Sequence, residues 1–499
     1  MTARGCSGSV ARVPKSAQPS LNRQLRRWLA AELRRLRPEI AASARRADAN
    51  RYRKHFTAFA HACLLIFHGL SGLDSLRQSF AAVAACRGLM DLADLTDADD
   101  PSAEGVGVSF SNYASANTSR PAAFLAGIIP YLVGRVRDSG QAAQAGLPAD
   151  LHLFDSTFLR LSLVLSPWLP NAGGSDVPGV RLHVGYTPFL DLPETFLITD
   201  TRTGDRQAFD QVVLDDPSRL ASLKGQTVAF DLGFYGHARF ARLRQGQVHW
   251  VTRLHPQASY QLEENRPVQL PLPGLYPGRI QVQSDQRITL GSANNPDGAT
   301  LSGLRLVVAQ VDPLPKAARR GAKSVVYKII TDRWDLAAAD VIQLYLWRWG
   351  IELFLRWLKS HVHLPRLLGY SRNAVELTVW LAIMTHLLSV LAAFALGRSR
   401  RSPALLRQLA WALPHLGEDW DEPPAPAAVQ LALPENEALP RGPPSPTANT
   451  IWTFVSTGYT YYVSDSIDLT PWPPSLPGKG ELPRLPMRIK LSVMERRRC

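Results

Sequence analysis

The alternation of apolar and polar residues changes twice along this chain of 499 residues. Residues 21–140 carry apolar residues at helical spacing, in segments such as FTAFAHACLLIFHGL and SLRQSFAAVAA. From about residue 150 the pattern favours short β-strands bounded by Pro/Gly turns, including LHLFDSTFLRLSLV and TVAFDLGFYG. A helical pattern then runs from about Leu336 to His363, with further helices predicted to about residue 415. Strands followed by helices predict an α/β core.

The same pattern divides the chain into four predicted parts. Residues 1–20 are rich in Ser, Pro and Arg and predict a disordered basic N-terminus. Residues 21–140 predict a small all-helical domain, and residues 150–415 an α/β domain with a strand-rich run at about 240–330. Residues 420–499 predict a poorly ordered, proline-rich tail, in which only IWTFVSTGYTYYVSD has strand character.

Composition limits the kind of molecule and its partners. Apolar residues make up 45% and charged residues 20%, which excludes a mostly disordered chain. The net charge of +14 and the pI of about 9.9 favour a polyanionic partner, with nucleic acid the first candidate and an anionic membrane the second. The four cysteines have neither zinc-site nor disulfide spacing, which fits a reducing cytoplasm.

The longest apolar run, Leu377–Leu396, has two interpretations. Its length would allow it to span a membrane. Four polar residues interrupt it, namely Thr378, Thr385, His386 and Ser389. We therefore predict a buried helix and no membrane partner.

Arginine is concentrated at residues 21–54, which contain ten arginines and Lys54. A helical module with this composition suits contact with the DNA backbone. A solvated basic face would have the same composition, and the segment alone favours neither interpretation.

The segment LYLWRWGIELFLRWLKSHVHL carries one narrow polar stripe. At about 100° per residue, five side chains fall within an arc of roughly 80° on an otherwise apolar helix. These side chains are Tyr345, Arg348, Glu352, Arg356 and Lys359. The stripe could consist of ordinary helical ion pairs, since both arginines lie four residues from the glutamate. It could equally be an acidic metal ligand flanked by cations that grip phosphate.

The spacing Tyr345-x2-Arg348-x3-Glu352-x6-Lys359 resembles the Tyr-Arg-Glu-Lys signature of the insertion-sequence-four family of DDE transposases. The preceding residues, TDRWDLAAADVIQ, also resemble that family's approach to its glutamate. The resemblance extends over roughly residues 50–415 and does not include the proline-rich tail.

Two further segments resemble the strands that carry the family's aspartates. LFDSTFLRL places the first aspartate at Asp155, and VAFDLGFYGHARFARL places the second at Asp231. Either residue alone could be a turn or cap residue. The resemblance implies a ribonuclease-H-like catalytic core at 150–415, interrupted by a mostly β insertion at about 240–330 and preceded by a helical DNA-binding domain at 21–140.

The resemblance also implies the chemistry, a cut-and-paste transposition by metal-dependent strand cleavage and strand transfer. Asp155, Asp231 and Glu352 are the expected catalytic residues and the ligands of two Mg²⁺ ions, for which Mn²⁺ can substitute. Four residues are expected to bind DNA, namely Tyr345, Arg348, Lys359 and Arg356. The expected partners are the terminal inverted repeats of the element and its target DNA, bound by a homodimer on paired ends in the bacterial cytoplasm, at the nucleoid.

Other interpretations stay open at this point. The chain could be an inactive remnant that binds element ends and represses transposition, or a membrane-surface protein drawn by charge alone. Trp250 could hold a flipped base, as tryptophans do in some members of the family, or could be a core residue. His237 could approach the site or be structural.

Overall fold

The computed structural model describes most of residues 21–417. Within that range it leaves out residues 52–54, 74, 97–106, 141–149, 163, 170–177, 269–278 and 292–299, and beyond it only 452–456 and 459–463 are described. The N-terminus at 1–20 and most of the tail at 420–499, both predicted to be disordered, therefore lie outside the described residues.

Helices occupy the described part of residues 21–140. They are α1 Leu21–Arg46, α2 Ala58–Ser71, α3 Leu76–Val83, α4 Arg87–Leu92, α5 Phe110–Ser119, α6 Ala123–Ala126 and α7 Ile129–Gly140. Three of them begin at a hydroxyl that accepts the backbone N–H three residues later, at Thr57, Ser75 and Ser109. Such caps satisfy amides that have no partner inside the helix, and so fix where each helix starts.

A single mixed sheet of nine strands follows. The strands are β1 Leu151–Arg160, β2 Gly179–Thr187, β3 Leu192–Asp200, β4 Thr227–Ala229, β5 His249–Arg253, β6 Tyr260–Arg266, β7 Ile280–Leu290, β8 Leu301–Val311 and β9 Val325–Thr331. Their order in the sheet is β3-β2-β1-β4-β5-β9-β8-β7-β6. The β1–β4 and β4–β5 pairs are parallel and the others antiparallel. The predicted α/β class is therefore correct.

Short helices connect the strands. Between β3 and β4 lie α8 Asp205–Phe209, a π-helical turn Asp210–Leu214 and α9 Pro217–Ser222. The segment between β4 and β5 holds α10 His237–Gln245, and that between β8 and β9 holds α11 Pro315–Ala318. The connection through α10 joins the parallel neighbours β4 and β5, which need a long connection of this kind.

The two faces of the sheet pack into different cores. Phe154, Phe230 and Trp250 point to one face, where they pack with side chains of α8 and α10. Leu153 and Ala229 point to the other face, which belongs to the larger core. This division follows from the alternation of side chains along a strand.

The prediction of one continuous helical stretch from Leu336 to His363 is wrong in one respect, because the helix is interrupted at Arg348. Two helices replace it, α12 Ala338–Trp347 and α13 Trp349–Ser360. The Arg348 amide donates to the Tyr345 carbonyl three residues back, and Arg348 has φ −50° and ψ −31°. The tightened turn keeps the chain direction nearly helical, since these dihedrals stay close to helical values.

The apolar run forms the long helix α14 Arg372–Ala395, and α15 Pro403–Ala412 follows it. By length and composition α14 alone among the described single helices could cross a membrane, yet 89% of its most apolar window is buried. The N-terminal helices, α14 and α15 share one hydrophobic core. The prediction of a buried helix is thus correct.

Residues 240–330 are strand-rich, as predicted, and their strands extend the same sheet. Within that run, RIQVQS and RITLGS each have the pattern of a short strand, but they form one strand, β7. In the tail, β10 Trp452–Ser456 and β11 Tyr459–Val463 pair with each other and with no other described strand.

Candidate active site

The two predicted aspartates lie at corresponding positions of adjacent parallel strands, Asp155 within β1 and Asp231 two residues after the end of β4. In the β1–β4 pairing, Leu153 lies opposite Ala229. Asp155 and Asp231 each come two residues later, so both project from the same face of the sheet. This is the face on which α13 packs, because α13 contacts β1. The strand pairing therefore brings both aspartates to the helix that carries Glu352.

Asp155 is a strand residue, so the turn interpretation is wrong for it: β1 continues to Arg160. Its Oδ1 accepts the Ser156 amide at 2.8 Å. Burial raises the pKa of Asp155 to about 6, and the negative charge of Glu352 adds to the increase. The Ser156 amide and the charge of Arg348 oppose it. The Asp155 carboxyl group thus lies in a site with too little positive charge.

Asp231 caps a short 3₁₀ turn, so the cap interpretation holds for it. Its side chain accepts the Leu232 amide at 2.7 Å, and Arg253 Nη2 lies 3.0 Å from its Oδ1. Burial would raise the pKa of Asp231, but the charge of Arg348 and these hydrogen bonds outweigh burial and hold the pKa below its usual value. Of the three carboxylates, Asp231 is the one whose negative charge is best balanced by nearby arginines.

Glu352 lies in the first turn of α13 and is a quarter exposed. Its Oε1 is 2.7 Å from Arg348 Nη2. Burial raises the pKa of Glu352, and the negative charge of Asp231 adds to the increase, against the charges of Arg348 and Arg356. The mutual influence of the three carboxylates indicates one electrostatic site.

Arg348 is the central cation of this site and is itself buried. Its guanidinium lies 5.7 Å from the centre of the Tyr345 ring, which is also buried. The ion-pair interpretation of the stripe is correct for Arg348 and Glu352. Arg356 and Lys359 are exposed on α13. The stripe therefore has an inner half packed against the carboxylates and an outer half open to solvent.

The three carboxylates suit a divalent metal by their ligand type, although their side chains are not gathered closely around one point. Within the described part of the chain, no three Asp, Glu, His or Cys side chains converge closely enough to hold an ion. Carboxylate oxygens are nevertheless the ligands that Mg²⁺ prefers. The raised pKa values of Asp155 and Glu352 mean that added positive charge would favour the ionised forms of both.

Two residues of the site were missed in the sequence, Arg253 and Asp205. Arg253 ends β5, the strand parallel to β4, so the strand-end argument that applies to Asp231 could have found it. Asp205 accepts the Ser156 hydroxyl at 2.6 Å and pairs with Arg181 at 3.1 Å. Its negative charge also raises the pKa of Asp155.

A cavity of about 310 Å³ lies against Tyr345 and Arg348. Its walls combine aromatic and basic side chains, among them Trp347, Trp349, Tyr327, Arg279 and Lys323. Aromatic faces and cations together suit a ligand with planar and anionic parts.

The other candidates have different surroundings. Trp250 is fully buried and stacks on Phe240 at 4.1 Å between ring centres, so it is a core residue. His237 begins α10 and lies 5.8 Å from the ring of Tyr235. In the arginine-rich α1, Arg26 is buried against Trp411 at 5.8 Å.

Comparison with known proteins bears on this site. Residues 148–388 match the family model described as "Transposase DDE domain", and this range includes Asp155, Asp231 and Glu352. This part of the chain, just under half of its length, is similar to transposase DDE domains. It is similar to transposases of insertion sequences.

Two relatives carry related names. The "Putative transposase y4zB" of Sinorhizobium fredii (strain NBRC 101917 / NGR234) is 26% identical over 280 residues, which cover 56% of this chain and 70% of the relative. The "Probable transposase for insertion sequence element IS5377" of Geobacillus stearothermophilus is 24% identical over 241 residues, 48% of this chain and 56% of that protein.

A solved structure, described as a cryo-EM structure of the piggyBac transposase synaptic complex with hairpin DNA, is also similar. It covers 79% of this chain and 77% of its own, at a TM-score of 0.35 and 11% identity. A similarity this low carries no structural argument.

Proposed function

We propose that the protein is a cut-and-paste DNA transposase of the insertion-sequence-four family, with a ribonuclease-H-like catalytic core. One observation carries the proposal. Asp155 within β1 and Asp231 just after β4 lie at corresponding positions of adjacent parallel strands, on the face where α13 carries Glu352. The order Asp, Asp, Glu and the Tyr-Arg-Glu-Lys spacing agree with it.

Asp155, Asp231 and Glu352 would hold two Mg²⁺ ions through their carboxylate oxygens. Bound Mg²⁺ would activate the attacking oxygen and stabilise the leaving oxygen of an in-line displacement at phosphorus. Arg348 is placed to neutralise charge on the reacting phosphate, because its guanidinium already lies among the three carboxylates.

DNA would approach over the polar stripe. Lys359 and Arg356 are exposed and would contact phosphates first, while Tyr345 and Arg348 line the cavity beside the carboxylates. We propose that the partners are the inverted-repeat ends and target DNA, bound by a homodimer at the bacterial nucleoid. Arginine suits this task because its planar group can bind phosphate through two hydrogen bonds.

The test is Mg²⁺-dependent cleavage of a plasmid that carries the gene's own flanking DNA. Wild-type protein is compared with Asp155→Asn, Glu352→Gln and Asp138→Asn, the last at an exposed position of α7. We expect cutting at discrete ends, lowered by more than about 1,000-fold in the first two variants, or about 4 kcal/mol of transition-state stabilisation. DNA binding by Glu352→Gln and cutting by Asp138→Asn should stay at the wild-type level.

A second candidate function is an end-binding remnant that represses transposition. The long proline-rich tail is the feature that favours it. Specific binding to the flanking DNA without cutting by the wild type would support the remnant. Cutting by Glu352→Gln would refute the assignment of the active site.

A further inference from the structure

The turn between β2 and β3 holds a buried carboxylate next to the α12–α13 junction. Asp191 is 2% exposed and has φ +56°, a conformation that residues other than glycine rarely adopt. Such backbone strain persists only where surrounding contacts enforce it. Neither the family signature nor the proposed catalytic mechanism uses this residue.

Three side chains meet at Asp191, one from the preceding strand β2 and two from about 200 residues later in the chain. The Tyr186 hydroxyl donates to its carboxylate, and Arg401 Nε lies 3.2 Å from the second carboxylate oxygen. His386 Nε2 donates to the Asp191 carbonyl at 2.9 Å. We call these four residues the Asp191 cluster. Buried polar groups with several partners fix one arrangement of the elements that carry them.

The Asp191 cluster contacts α13 directly. The ring of Tyr186 stacks on Phe354, with ring centres 4.8 Å apart and planes inclined by 16°. The ring of His386 also contacts Phe354, at 4.9 Å. Phe354 lies two residues after Glu352 on the same helix, so these contacts constrain the position of the glutamate.

The same turn contacts the other side of the Arg348 junction. Phe189 packs edge-on against Trp347, the last residue of α12, at 4.8 Å between ring centres. Arg400 donates to the Phe189 carbonyl. The turn therefore contacts the helices before and after Arg348, and two consecutive arginines attach it to the segment after α14.

We propose that the Asp191 cluster is a positioning device that fixes Glu352 and Arg348 relative to the two aspartates, and that Arg401 completes it. The inference rests on the proposed function. Arg401 lies beyond residues 148–388, the range that matches the DDE domain. Residues after the matched domain thus complete the support of the active site.

If the salt bridge between Arg401 and Asp191 were merely structural, its loss would have a different effect. It would stabilise all adjoining elements alike, so its loss would speed backbone hydrogen exchange in the sheet as much as in α13. If the cluster positions α13, its loss should instead speed hydrogen exchange in α13 alone and leave the sheet unchanged. Small displacements matter here because a misplacement of about 1 Å can lower a rate by roughly 100-fold.

The test uses full-length protein and compares Asp191→Asn, Arg401→Gln and Arg401→Lys with Arg398→Gln, which changes an exposed arginine of the same loop. Backbone hydrogen exchange is measured in α13, β1 and β4. Single-turnover cleavage of the plasmid with the gene's flanking DNA is measured at saturating Mg²⁺, and DNA affinity separately.

We expect α13 amides to exchange roughly tenfold faster in Asp191→Asn and Arg401→Gln, with β1 and β4 unchanged. Cleavage should fall by about 10- to 100-fold while the Kd for DNA stays within about twofold. Arg401→Lys should recover part of the rate, and Arg398→Gln should behave as wild type.

Equal acceleration of exchange in α13, β1 and β4, or none in α13, would overturn the proposal. Hydrogen exchange does not depend on activity. If the wild type cuts no DNA but α13 exchanges selectively faster in the variants, the positioning role stands and the proposed function fails.

Discussion

At the scale of single residues, charge balance distinguishes the three carboxylates. Asp231 has Arg253 at 3.0 Å and Glu352 has Arg348 at 2.7 Å. The carboxylate of Asp155 accepts the backbone amide of Ser156, and burial raises its pKa to about 6. Without a divalent cation, ionised Asp155 therefore destabilises the fold.

This imbalance predicts a pH dependence of stability. The pKa of Asp155 rises on folding from 3.8 to about 6, so its contribution to stability is present below about pH 4 and lost as the pH rises through about 6. Relative to Asp155→Asn, the wild type should lose up to about 3 kcal/mol of unfolding free energy between pH 4 and pH 7. Urea unfolding in a chelator at several pH values measures this difference.

The matched control is Asp138→Asn, whose stability should follow that of the wild type at every pH. Parallel pH curves for wild type and Asp155→Asn would contradict the prediction. Adding Mg²⁺ at pH 7 should restore stability to the wild type more than to Asp155→Asn, because only the wild type retains the full set of carboxylates.

The residue types of the site could be predicted, but their contacts could not. The spacing of Tyr345, Arg348 and Glu352 is local, so a helical projection could group them. The pairing of Arg253 with Asp231 depends on β5 lying parallel to β4, which no local pattern encodes. Asp191 gave no sequence signal, since its partners lie at positions 186, 386 and 401.

At the scale of elements, Trp250 on β5 anchors the core beneath α8 and α10. It is fully buried and lies nearly parallel to Phe240, at 10°. Trp250→Ala should cost about 3–5 kcal/mol of unfolding free energy, measured by urea denaturation. Val326→Ala, at a position 53% exposed, should cost less than about 0.5 kcal/mol. Normal stability of Trp250→Ala with loss of cleavage would point to the base-holding role instead.

Two features of the elements have no local signal in the sequence and depend on neighbours elsewhere in the chain. Strand β6, YQLEENR, is nearly all exposed and contains residues that disfavour strands, so only its pairing with β7 forms it. The break at Arg348 involves no proline, and the apolar pattern is the same on both sides of it. Contacts of Trp347 with Phe189 and of Phe354 with Tyr186 accompany the break.

At the scale of the whole molecule, helices from both ends of the sequence share one core. Asn373 at the start of α14 accepts the Ala122 amide at 2.8 Å and donates to the carbonyls of Asn117 and Arg120. Residues 21–140 are predicted as a domain of their own from their helical pattern and arginine content. Composition could not predict their packing against α14, because that contact joins positions about 250 residues apart in sequence.

The tail provides the last prediction, since the described core ends well before it. The last core helix, α15, ends at Ala412, and strands β10 and β11 pair only with each other among the described strands. Removing residues 440–499 should therefore leave plasmid cleavage within about twofold and thermal unfolding within a few degrees of full-length protein. Removing everything after Gly397 should abolish folding, because it deletes α15 and Arg401, which contact α1 and Asp191. Insoluble or unfolded protein from the shorter deletion would show that the tail belongs to the folded core.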